Sequence, residues 1–133
     1  MPENPHIEGV CYDPELPILE RQQLEMLLML DEDEEEGLAL VREIFGLFQT
    51  ESSERLIQLD EVCQRNDLDA LRKMVHFVAG SAGNLGMSRM CGFYRGIEQA
   101  IDTGTLTQLE NCAAPIRVEF KYGCEVFKEA FGL

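Results

Sequence analysis

Positive charge is scarce in this sequence: 11 Lys and Arg stand against 25 Asp and Glu, a formal net charge of −14. Nucleic acid demands a basic footprint, so that partner is excluded. Anionic membrane surfaces are disfavoured for the same reason. No apolar run approaches the roughly 18 residues of a membrane span; LEMLLML, from Leu24, is far too short. No signal-peptide pattern opens the chain, so a cytoplasmic protein is expected. Paired cysteine motifs are missing too. Cys11, Cys63, Cys91, Cys112 and Cys124 form an odd set without Cys-x-x-Cys, which reads as free thiols in a reducing compartment. Only two histidines occur, and His6 lies in a proline-rich start, leaving His76 alone in the ordered region. A metal or multi-residue catalytic cluster is hard to build on one histidine.

What the sequence does have is helical periodicity. At 133 residues and 45% hydrophobic, the chain can bury one sizeable core. Residues 1–16 carry no periodic pattern and read as a flexible N-terminal arm; residues 17–133 form the expected domain. Pro17 can start a short helix with Leu24, Leu27 and Leu28 as its apolar face. The acidic run Asp31–Glu36 reads as a solvated loop favouring the next helix's N-terminus. It lacks the glycine and spacing of a calcium loop.

Leu38, Val41, Phe45, Phe48, Leu56, Leu59 and Cys63 then mark one long helix, followed by a polar turn where Asn66 or Asp67 can cap the next. Beyond Gly86, a further stripe runs through Met87, Met90, Tyr94, Ile97 and Ile101 to a glycine cap at Gly104. The last holds Leu109, Ala113, Ile116, Phe120, Cys124, Phe127 and Phe131, with Pro115 kinking it or starting its main segment. Period-two alternation and repeats are absent. The fold class is therefore all-α: an up-down antiparallel four-helix bundle with a short extra N-terminal helix.

The stretch 67–89, a helical pattern broken at Gly86, is the unusual one. On a wheel of 3.6 residues per turn, Leu68, Leu71, Met74, Val75, Val78, Ala82 and Leu85 share one arc. His76 points away from it, in company with Asp69, Arg72, Lys73, Ala79, Gly80 and Gly83. Each glycine costs a helix interior roughly 0.8–1 kcal/mol relative to alanine. Small residues beside an exposed imidazole let another macromolecule approach the ring. The plainer alternative is a surface histidine near a fraying end, its glycines marking the break at Gly86.

The segment HFVAGSAGNLG resembles the phosphorylation motif of histidine-containing phosphotransfer (HPt) domains. In that family the histidine is followed by x-Leu-Lys-Gly-Ser, a small residue, any two residues, then Leu-Gly or Ile-Gly. His76, Gly80, Ser81, Ala82, Leu85 and Gly86 match in place, and Val78 is conservative for leucine. Ala79 departs, since the family usually has lysine there. The resemblance extends from about Pro17 to Phe131.

The resemblance implies a four-helix bundle and a phosphorelay intermediate. His76 would accept a phosphoryl group from a receiver-domain aspartate and pass it to another response regulator. A hybrid sensor histidine kinase would stand upstream. No cofactor would be held stably; Mg2+ would come with the partner's receiver domain. Gly80 and Gly83 would admit the partner, and Lys73 or Arg72 would replace the charge missing at Ala79. Ser88 and Arg89, past the turn, would reach a phosphoryl oxygen or simply face solvent. Phe77 stands where an autokinase's phosphoacceptor helix carries Glu or Asp, and no ATP-binding domain is present. The expectation is a monomeric, stoichiometric phosphocarrier rather than an autokinase. The rival reading is an HPt-like module that docks receiver domains, or another partner, without being phosphorylated.

Overall fold

The computed structural model describes residues 3–30 and 39–133; the acidic run, with Gly37 and Leu38, lies outside them. The described residues form six helices and no strand: α1 (Arg21–Leu30), α2 (Ala39–Leu56), α3 (Leu59–Gln64), α4 (Leu68–Asn84), α5 (Ser88–Thr103) and α6 (Ala113–Phe131). None is long and apolar enough to cross a membrane.

The expected boundaries of α4 and α5 have clear local causes. Asp67 accepts a hydrogen bond from the Ala70 amide at 3.1 Å, satisfying a donor the first helical turn leaves open. At the other end Gly86 takes φ +76°, and the Met87 amide returns to the Ala82 carbonyl at 2.9 Å. Gly104 closes α5 the same way at φ +79°. Asn66, at φ 54°, is the one non-glycine residue described in the left-handed region. Its side-chain oxygen accepts from Leu109 N at 2.8 Å and its amide nitrogen donates to the Thr107 carbonyl at 2.9 Å. That clamp ties the α3–α4 turn to the loop before α6.

Burial follows the apolar stripes. Leu71, Val75, Val78 and Ala82 of α4 are fully enclosed, facing a core that includes Phe93, Tyr94 and Ile97 of α5. Phe45 of α2 stacks on Phe127 of α6 at 4.8 Å, and Phe48 meets Phe120 at 5.8 Å, so these helices run antiparallel. Buried Tyr94 satisfies its hydroxyl on the Ile116 carbonyl at 2.7 Å.

Three expectations need correction. The helix expected to run on to Cys63 breaks after Leu56, although no glycine or proline marks the spot. Packing decides it, because α3 turns Leu59, Val62 and Cys63 inward against α4 and α6. The short first helix begins at Arg21, not Pro17, and buries Leu27 while Leu28 remains 44% exposed. Residues 3–16 are packed rather than detached. Ile7 and Val10 are buried in the core cluster, Tyr12 packs on Phe93 with centroids 5.4 Å apart, and Leu16 lies against Gly92. Irregular backbone with single apolar anchors shows no periodicity, so the pattern of the sequence does not reveal it.

Candidate functional site

His76 stands on the outer face of α4 with its side chain 70% exposed. Leu71, Val75 and Val78 point inward and fix the opposite face outward. The ring does not stand alone. Its Nδ1 lies 2.8 Å from Oε2 of Glu98 on α5, a residue only 17% exposed. A carboxylate oxygen can only accept, so Nδ1 carries the proton and the lone pair belongs to Nε2.

Glu98 is held in turn. Its other oxygen lies 3.4 Å from Nη2 of Arg72. Arg72 also grips Asp102 through two bonds, at 2.6 and 3.3 Å. The hydrogen bond between them raises the Arg72 pKa and holds the Asp102 carboxyl below its usual range. A chain of contacts thus runs Asp102–Arg72–Glu98–His76 across the α4–α5 seam.

The expected site residues separate into two groups. His76, Lys73 and Gly80 share the exposed outer ridge of α4, whereas Gly83 faces Cys91 of α5. Gly80 is exposed, and a Cβ added there would meet nothing within 4 Å. Lys73 reaches Asp69 at 3.0 Å, an exposed pair one turn apart that contributes little to stability. Arg72 turns toward α5, its charge already matched by Asp102 and Glu98. Ala79 is only 1% exposed and belongs to the core, not to the open face. At 60° from His76 on the wheel, it is turned under α5.

Ser88 and Arg89 do not return to the imidazole. Ser88 donates to Glu20 at 3.1 Å. Glu98 lies ten residues further along α5, about 15 Å at 1.5 Å per residue. Arg89 is buried and makes a two-pronged pair with Glu119, both contacts at 2.8 Å. It also donates to Asn4 at 3.3 Å and, through its amide, to the Pro17 carbonyl at 2.9 Å. These bonds anchor the N-terminal segment.

Glu98 and Asp102 are what the sequence pattern missed. Their signal lies in counting through the turn. Arg72–Asp102, His76–Glu98 and the close approach of Gly83 to Cys91 are each symmetric in sequence about Met87. Once α4 and α5 are read as an antiparallel hairpin, that symmetry names the partners. The other side of α4 holds a different contact: Arg55 of α2 lies over the Phe77 ring, 4.2 Å from its centroid. Among the described residues no cluster of three metal-ligating side chains occurs.

Comparisons with known proteins agree with this geometry. No curated protein matches the sequence. Among solved structures, the chain is similar to histidine-containing phosphotransfer protein B from Pseudomonas aeruginosa PAO1. That match has 26% identity and a TM-score of 0.69, covering 87% of this chain and 96% of the other. The Hpt domain model matches residues 43–127, a span holding the whole His76 helix and the hairpin that positions the ring. With well over half its length matched, and with an exposed histidine oriented from the neighbouring helix, this chain belongs to the Hpt domain family.

Proposed function

We propose that the protein is a phosphorelay intermediate and that Nε2 of His76 carries the phosphoryl group. One observation supports this above the rest: the Nδ1–Glu98 contact at 2.8 Å, beneath a ring 70% exposed. The Nε2 lone pair attacks the phosphorus of an aspartyl phosphate in a receiver domain. The P–O bond breaks, the aspartate leaves with its electron pair, and an N–P bond forms. The imidazole keeps its Nδ1 proton and becomes cationic, and Glu98 stabilises that charge while holding the ring in place. The reverse sequence delivers the group to a second response regulator.

Partner and protein divide the work. The receiver domain brings the aspartate and Mg2+; this chain brings the oriented nucleophile and a surface that admits the partner. Gly80 keeps that surface low, and Lys73 edges it. The four long helices are read as an up-down antiparallel bundle, with α1 and α3 as short additions. We further infer a cytoplasmic monomer that takes its phosphoryl group through a hybrid sensor histidine kinase. Neither nucleic acid nor membrane is a partner in this reading.

The buried Ala79 favours a second reading, a docking module that binds receiver domains without accepting phosphate, because the family's lysine is missing. Incubation with phosphorylated receiver domains separates the two. The carrier acquires an acid-labile, base-stable phosphoryl group and passes it to a second receiver domain. A docking module binds and gains none.

A further inference from the structure

The charges around His76 do not balance for a site that must hold a phosphoryl dianion. Arg72 and Lys73 face Glu98, Asp102 and Asp69, two cations against three carboxylates. Both cations are already engaged. Arg89 is buried with Glu119, and Arg55 lies on Phe77 on the opposite flank. The position where the family motif has lysine is Ala79, and its side chain points into the core.

The hairpin symmetry supplies a replacement. Pairs equidistant from Met87 face one another across the seam: 72 with 102, 76 with 98, 83 with 91. The residue facing position 79 is therefore Arg95. It is exposed, and no described carboxylate pairs with it. On the α5 wheel it lies 60° from Glu98, on the same outward side as Asp102. It precedes Glu98 by three residues, about 4.5 Å along the axis, within the span of an extended arginine. Gly80 leaves the space between open.

We infer that Arg95 is a phosphoryl-binding residue, supplying from α5 the cation that the family motif places on α4. When His76 is phosphorylated, the guanidinium moves over Ala79 and Gly80 and donates to the phosphoryl oxygens. Its charge evens the local balance, and its planar fork suits two oxygens. The inference rests on His76 being the phosphoacceptor.

The test loads the purified protein with phosphoramidate, so that no partner enters, and follows it by 31P NMR. Wild type is compared with His76→Gln, Arg95→Gln, Arg95→Lys and, as a distant charge control, Lys121→Gln. Arg95→Gln should load or retain the phosphoryl group about tenfold less well, the loss of one charge-assisted contact. Its phosphoryl group should also ionise at higher pH, since a cation no longer favours the dianion. Arg95→Lys should restore part of both effects, and Lys121→Gln should match wild type. All melting temperatures should agree. Equal loading, lifetime and phosphoryl titration in wild type and Arg95→Gln would overturn the assignment to Arg95 alone. Failure of wild type to load, or loading that survives His76→Gln, would instead remove the phosphoacceptor reading and this inference with it.

Discussion

Two helices of this hairpin each carry a pair of glycines, and of the four only Gly80 faces open space. On α5, Gly92 and Gly96 are filled by the chain itself. A Cβ at Gly92 would strike the Leu16 side chain, and one at Gly96 would lie 2.6 Å from the Cys11 carbonyl oxygen. On α4, Gly80 faces open space, whereas a Cβ at Gly83 would crowd the Cys91 side chain of α5, 3.2 Å from its sulfur. One pair lets the N-terminal segment lie close against its helix. Gly80 leaves a low surface beside an oriented histidine. A small residue in a helix therefore marks close approach, but the approaching group is known only when the neighbouring chain is placed.

The largest effect should fall on the covered side. Arg89 joins Glu119 to Asn4 and the Pro17 carbonyl, and Arg89→Met leaves a buried carboxylate unpaired. A loss of about 3–5 kcal/mol is expected by chemical denaturation. Phosphoryl transfer per folded molecule should remain, since Arg89 lies away from His76. Impaired transfer in a fully folded Arg89 variant would blur the distinction between the two sides.

The open side should answer in the other way. Gly80→Gln replaces a poor helix former, so stability should hold or rise by roughly 0.5–1 kcal/mol. Transfer from a receiver domain should slow on the order of 100-fold, because the new side chain displaces the partner from its reacting position. Melts and transfer rates on one variant show both effects. Unimpaired transfer would leave Gly80 without a role in access.

Gly96→Ala sharpens the contrast from the other helix. The new methyl meets a backbone carbonyl, and about 1–3 kcal/mol of stability should be lost. Cleavage within residues 3–16 by a non-specific protease should accelerate, with transfer unchanged. Resistance equal to wild type would mean the segment is held without that contact.

Thiol reactivity gives the smallest and most local reading of the same packing. Burial pushes Cys112 up to about 11 and Cys124 up to about 12, whereas Cys11 is exposed. The thiolate is the reactive form, so raised values suppress alkylation at pH 8. Iodoacetamide should modify Cys11 first and leave Cys112 and Cys124 intact until the protein unfolds. Early labelling of Cys124 would contradict a closed core.

Much of this was legible from sequence where periodicity speaks. The apolar arcs of α4, α5 and α6, the Asp67 cap and the glycine stops at Gly86 and Gly104 follow from local rules. So does the outward direction of His76. What stayed hidden depends on tertiary placement. Ala79 sits at the edge of the wheel, and only the position of α5 decides that it is buried. Arg89 looks like a surface cation until Glu119, thirty residues on, is packed against it. Glu98 is one acidic residue among many in an acidic chain; the register of the hairpin singles it out.

The central claim is that Glu98 orients His76 so that Nε2 is the nucleophile. Phosphorylation of uniformly 15N-labelled protein by a phosphorylated receiver domain, read by 15N and 31P NMR, tests it most directly. Phosphorus should couple to Nε2 of His76, with Nδ1 still protonated. The signal should vanish in His76→Gln, whose stability should change by less than about 0.5 kcal/mol. Phosphorus bound to Nδ1, or to any residue other than His76, would contradict the account.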